Sequence, residues 1–171
     1  MAAGIVIRTA QNEADAASAS RIYATSWKTA YRGAFSDKLL DDIPLDFWTP
    51  HFNANYETGR FTLAILSAEG ADAGAGAYGL SRDTDDCTVG EITSLYLLPE
   101  VWGEGYAAPL MDSMLDGLRT LGCTKAHLWT LRENRRARRF YEKMGFSLTG
   151  AEKELDYKGE RVTDLEYARA L

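Results

Sequence analysis

Leu95-Tyr96-Leu97-Leu98-Pro99-Glu100-Val101-Trp102-Gly103-Glu104-Gly105-Tyr106-Ala107-Ala108 reads as a strand that enters a glycine-containing turn and passes at once into a helix. The first N–H groups of a helix have no partner within it, and glycines let a ligand come close to the backbone. Such a turn can hold a phosphate. It can equally be a tight strand-to-helix connection without a ligand. The stretch lacks GxGxxG, so a dinucleotide-binding fold is not indicated, and it lacks GxxxxGK[ST], so a P-loop is not indicated.

Outward from this segment, Thr88–Leu98 is rich in β-branched and large apolar residues and predicts the strand before the turn. The helix after it, Gly105–Leu121, repeats apolar residues at Ala107, Leu110, Met111, Met114, Leu115, Leu118 and Leu121. Upstream, Phe61–Leu66 and Ala75–Arg82 read as strands around an Ala/Gly-rich turn spanning Ala68–Ala77. Ile5–Arg8 reads as a first strand. Asn12 is placed to cap a helix from Glu13 that stops near Gly33, with shorter helices over Ser36–Leu40 and Leu45–Tyr56, split by Pro44. Downstream come a strand at Lys125–Thr130, a helix at Asn134–Met144, and strands at Ser147–Leu155 and Val162–Ala168 around Lys158-Gly159. The whole predicts one α/β domain over residues 1–171, with a mixed sheet flanked by helices.

A second informative segment runs from Leu128 to Phe146. Asn134 begins a helix and Tyr141 follows two turns later on the same face. Taken alone, Asn134 reads as an N-cap and Tyr141 as core.

Together the two segments resemble the GNAT superfamily of acetyltransferases. The family's acetyl-CoA motif, [Q/R]-x-x-G-x-[G/A], falls on Trp102, Gly103, Glu104, Gly105, Tyr106 and Ala107. Trp102 departs from the usual Gln or Arg; some members similar to ribosomal-protein acetyltransferases carry an aromatic turn here. The second motif, N-x-x-A-x-x-x-Y-x-x-x-G-F, matches Asn134, Ala137, Tyr141, Gly145 and Phe146 in full. Ser26–Gly33 also resembles a segment common in bacterial members, so the likeness spans nearly the whole chain.

The resemblance implies acetyl-CoA as cofactor. Its pantetheine arm would pair with main chain from Leu95 through Tyr96 to Leu97. Its pyrophosphate would rest on the amides of Gly103–Ala108, with Asn134 binding the arm. Tyr141 becomes the candidate general acid for the departing sulfur, because a phenol is protonated at neutral pH. The main-chain N–H of Leu97 could polarise the thioester carbonyl. Histone-acetylating members place a catalytic Glu where Glu91 stands, so Glu91 is the candidate base; it can also be a structural or substrate-binding carboxylate with water carrying the proton. Members acting on ribosomal N-termini place a Glu base at the position held here by Trp129, so that version does not carry over.

The acceptor is less legible. Trp27, Tyr31, Tyr157 and Tyr167 could line its pocket, with Asp37, Asp41, Asp42 and Asp46 attracting a cation. The leading expectation is a small-molecule amine, polyamine-like or other. Acetylation of a protein N-terminus or lysine, and non-catalytic acyl-CoA sensing, remain as alternatives. The formal charge of −6 argues against nucleic acid and anionic membrane. The basic run Arg135–Arg139 is expected mostly in solvent, with one or two side chains near the cofactor. Cys87, Cys123 and two histidines offer no metal-ligand spacing. No signal peptide and no long apolar span are read, which makes a cytoplasmic location the default. A homodimer through an exposed strand Val162–Ala168 is a further expectation.

Overall fold

Alternation along Thr62–Ala68 divides the interior in two. Leu63 and Ile65 enter one hydrophobic cluster, while Ala64 and Leu66 enter another on the opposite face. A strand apolar on both faces must be covered on both. The computed structural model describes residues 4–171, so residues 1–3 of the expected single domain lie outside the described residues. Its strands are β1 (Ile5–Thr9), β2 (Thr62–Ala68), β3 (Ala71–Leu80), β4 (Val89–Leu97), β5 (Lys125–Leu131), β6 (Ser147–Tyr157) and β7 (Glu160–Ala170). Its helices are α1 (Glu13–Ala30), α2 (Asp37–Asp41), α3 (Thr49–Thr58), α4 (Ala107–Thr120) and α5 (Arg135–Lys143). The strands form one sheet in the order β1-β2-β3-β4-β5-β7-β6. Only the β4–β5 pair is parallel, as a strand–helix–strand crossover through α4 requires. The expected mixed sheet flanked by helices is therefore present.

Each face has its helix. The Asn12 side chain accepts the Asp15 N–H at 3.0 Å and starts α1. Ala16, Ala19, Ile22 and Tyr23 then pack on Leu63, Ile65, Ala75 and Ala77. On the other face, α4 buries Leu110, Met111, Met114, Leu115 and Leu118 to 1% exposure or less. Side chains of this size each contribute about 1.5–3 kcal/mol when fully buried.

Three expectations change. The Ala/Gly stretch is not a loose turn. Only Glu69-Gly70, both at positive φ, turn the chain, and Ala71 onward is strand β3. The small residues answer a packing need. A Cβ on Gly76 would lie 2.7 Å from Met114 Sδ and 2.9 Å from the Ser94 carbonyl oxygen. Gly76→Ala is thus expected to cost about 2 kcal/mol by overpacking, read as a lower urea midpoint at unchanged slope.

The helix expected from Leu45 begins only at Thr49. The residues before it make successive turns, with Phe47 N–H to Pro44 O at 3.1 Å and Thr49 N–H to Asp46 O at 3.0 Å. Finally, Val162–Ala168 is not an edge. β7 is hydrogen-bonded to β5 on one side and β6 on the other, so β6 holds the free edge at that end. Among the described residues, no helix is long and apolar enough to cross a membrane.

Candidate active site

The parallel pairing of β4 with β5 covers only Val89↔Lys125, Gly90↔Ala126 and Glu91↔His127. Beyond Glu91 the two strands part. Each stays bonded to its outer neighbour, β4 with β3 as far as Leu97 and β5 with β7 as far as Leu131. A bulge drives the separation: Ala77 faces Ser94 and Tyr78 faces Ile92, leaving Thr93 as the extra residue. The Thr93 hydroxyl donates to the Ala77 carbonyl at 3.1 Å and fixes the bulge. The result is a wedge in mid-sheet, occupied by a cleft of about 860 Å³. Leu98 donates its N–H to Ala73 at 2.8 Å, away from the cleft. Strand alternation then turns the N–H of Leu97 toward it. Backbone groups in such a place need a partner, and a strand-like ligand supplies one.

The turn after β4 forms one end of the cleft. Gly103 and Gly105 have φ of 90° and 85°, and a Cβ on either would meet nothing within 4 Å. The backbone conformation, not space, calls for glycine here. α4 starts without a side-chain cap, so the amides of its first turn are open. Gly103, Gly105, Tyr106, Ala107 and Ala108 all line the cleft; the exposed Glu104 does not.

Trp102 has a position of its own. Its indole N–H donates to the Leu97 carbonyl at 2.9 Å, tying the turn to the end of β4. The Arg136 guanidinium lies 3.3 Å from the centre of its ring. Arg136 and Arg139 line the cleft, whereas Arg138 turns away to Tyr167 and to the Arg132 carbonyl. The basic run thus sends two side chains to the cleft.

Asn134 caps α5, accepting the Ala137 N–H at 3.1 Å, which leaves its amide NH₂ for a ligand. Tyr141 is 8% exposed and lines the cleft. Among the described residues, no protein group hydrogen-bonds its hydroxyl. Burial, with Tyr96 nearby, pushes the phenol well above its ordinary range.

Glu91 sits at the closed end of the wedge and is 2% exposed. Burial pushes its carboxyl up, but Arg82 outweighs that and holds it below the usual range. Arg82 donates from Nη2 at 2.6 Å, from Nε at 3.0 Å and from its main-chain N–H at 3.2 Å. Beside it, Ser81 Oγ, His127 and Glu166 stand in a row that suggests a nucleophile triad. Ser81 Oγ is 2.7 Å from His127 Nε2, and His127 Nδ1 is 3.0 Å from Glu166 Oε1. Yet that Nδ1 is not aligned for a hydrogen bond, and the cleft reaches neither Ser81 nor His127. The row braces the strands.

The far end of the cleft is walled by Trp27, Tyr31, Phe35 and Tyr157. Trp27 packs on Tyr31 and Tyr157 at ring separations of 4.7 and 5.6 Å. The hydroxyls of Tyr31 and Tyr96 are 3.1 Å apart. Two expectations fail here. Tyr167 is fully buried on the other face, bonded to Glu142 and Arg138. Asp37, Asp41, Asp42 and Asp46 lie outside the cleft, and the first three pair with Arg32 or Lys38. Besides Glu91, the acidic residues that line it are Asp156 and Asp164, which the sequence reading missed, as it missed Arg82. Strand parity was the available signal: Asp164 stands two residues from the apolar Val162 and shares its face.

Comparison with known proteins bears on this geometry. Residues 20–146 match the acetyltransferase (GNAT) family. An uncharacterized N-acetyltransferase of Mycobacterium tuberculosis is 36% identical over 105 residues, 57% of this chain and 66% of the relative's length. The PaiA N-acetyltransferase of Thermoplasma acidophilum, solved in complex with coenzyme A, superposes with a TM-score of 0.75 at 18% identity, covering 98% of this chain and 99% of that one. A ribosomal-protein-alanine N-acetyltransferase from Brucella melitensis gives 0.76 at 20% identity, covering 97% and 99%. With a family match over most of its length and a sheet opened at the place the two motifs flank, the chain belongs to the acetyltransferase (GNAT) family.

Proposed function

We propose that this protein is an N-acetyltransferase that moves an acetyl group from acetyl-CoA to a primary amine of a small molecule, polyamine-like or otherwise. One observation carries the reading: the Tyr141 hydroxyl, unclaimed by any described protein group, lines the cleft between the parted β4 and β5. The groups around it fit the cofactor. Main chain from Leu95 to Leu97 offers an open strand edge, the Gly103–Ala108 turn offers amides, and Asn134 offers an NH₂ donor. Acetyl-CoA bound there supplies an activated thioester.

The chain's own groups then divide the work. The Leu97 N–H stabilises charge on the thioester oxygen as the amine attacks. Tyr141 gives its proton to the departing sulfur. Glu91, with both oxygens taken by Arg82, fits the structural role better than that of a free base.

A small acceptor fits better than a peptide. Ser36 donates its N–H to Glu160 at 2.7 Å, and its hydroxyl bonds the same carboxylate. With Trp27 against Tyr157, these contacts tie the α1–α2 region to the β6–β7 hairpin across the acceptor end. The test is thiol release from acetyl-CoA against polyamines, amino acids, aminoglycosides and peptides. Turnover is expected with small amines and little with peptides. Tight CoA binding without turnover of any amine would instead support a non-catalytic acyl-CoA sensor.

A further inference from the structure

Asp164 lies on β7 with Leu131 of β5 opposite on one side and Lys153 of β6 on the other. Val162, on the same face, packs with Phe35, Leu131, Trp27 and Tyr31 beneath the acceptor end. Asp164 thus faces the cleft beside the aromatic wall, on the side toward Tyr31 and Tyr96.

A half-buried carboxylate needs a cation or donors, and the nearby cations are committed elsewhere. The Lys153 ammonium binds both oxygens of Asp83 at 2.8 and 2.9 Å and sits 4.1 Å over the Trp129 ring. Arg82 is held by Glu91 and Arg132 by Glu152. Among the described residues, no hydrogen bond or ion pair reaches the Asp164 carboxyl. The titratable groups around it are Lys153 from β6, Glu133 after β5, Tyr31 just after α1 and Tyr96 from β4. Burial pushes its carboxyl up to about 6, with Lys153 opposing and Glu133 adding to the rise. A lone carboxylate beside aromatic rings is a site for an ammonium group.

The geometry points to Asp164 as the residue that binds the acceptor's ammonium and accepts its proton, so that the acceptor is a cationic primary amine. This rests on the transferase reading above and adds the missing base. Asp164 takes one N–H proton and passes it to solvent. The nitrogen lone pair forms the C–N bond as the C–S bond breaks. The sulfur receives the Tyr141 proton, and a second N–H proton restores the phenol. The sum is ammonium plus thioester giving amide, thiol and one released proton.

The test compares wild type with Asp164→Asn, using spermidine and tyramine as ammonium acceptors and hydroxylamine as one already neutral at the assay pH. CoA affinity, measured by titration, reports whether the variant keeps its cleft. For the ammonium acceptors kcat/KM is expected to fall about 10²-fold, with a far smaller loss for hydroxylamine. The wild-type profile should rise through a limb near pH 6 that the variant lacks. Unchanged turnover, or an equal loss with hydroxylamine, overturns the assignment and leaves the transferase reading standing. Failure of wild type to acetylate any amine overturns both.

Discussion

Replacing Tyr141 by Phe is expected to lower kcat about a hundredfold while leaving CoA affinity within about threefold. The ring stays where it is. It packs against Phe140, Phe146 and Tyr167 at centroid separations of 5.6, 6.2 and 6.3 Å, and Phe keeps every one of those contacts. The hydroxyl it loses bonds no described protein group, so no buried partner is orphaned. Stability should therefore change by no more than about 0.5 kcal/mol. An effect on kcat alone isolates the proton given to sulfur. The shift of the phenol supplies a second check. Because burial raises it, Tyr141 stays protonated across the neutral and mildly alkaline range. The wild-type rate should show no alkaline fall from this group below about pH 10, its ordinary value. A Phe variant that turns over as fast as wild type would move the proton donor elsewhere.

What the sequence disclosed and what it hid divide by the range of the contact involved. The turn at Gly103–Ala108 and the Asn134–Tyr141 spacing are local, set by residues within one turn or one helix. Both could be read from the chain. The wedge could not, because it depends on β4 keeping β3 and β5 keeping β7 after Glu91↔His127. No single segment records where a pairing stops. The Ala68–Ala77 stretch, read as a turn, shows the same thing in reverse. Small residues there have the composition of a turn, but Met114 from α4 and the Ser94 carbonyl across the bulge set the limit on size at Gly76. Tyr167 was placed in the cleft, and Asp164 missed, for want of one parity. Leu165 and Tyr167 face the α4 and α5 side, while Val162 and Asp164 face the cleft. An aromatic residue suits either face, so residue type alone placed Tyr167 in the wrong wall. The buried Val162 fixes the face for Asp164.

Arg82→Met is expected to destabilise the protein by about 2 kcal/mol at pH 7, and the loss should shrink toward pH 4. The sign follows from Glu91. In the wild type Arg82 holds that carboxyl below its ordinary value. Its contribution is therefore present above the unfolded pKa and is lost as pH falls through the lower, folded one. Without the guanidinium, burial acts on Glu91 with the main-chain N–H at residue 82 and the neighbouring His127 opposing it. The folded pKa then rises above the unfolded one, and stability declines as pH climbs through the carboxylate range. The two stability curves part from about pH 4 upward. The figure is below the about 3–5 kcal/mol of a fully buried pair because the Arg82 side chain is 72% exposed. Urea midpoints at pH 4 and pH 7.5 measure it, and an equal loss at both would show that the pair is not the cause. Glu91→Gln is the control. It removes the buried charge and leaves Arg82 free to be solvated, so it should cost only about 1 kcal/mol. It also separates the two carboxylates by role. As a base, Glu91 would lose about 10²-fold in kcat on becoming Gln. As a clamp at the last paired position of β4 and β5, it should keep most of the rate, because the strands still part at the Thr93 bulge. The pairing pattern favours the clamp: the carboxylate with a cation of its own holds the wedge, and the one without, Asp164, is left to meet the substrate.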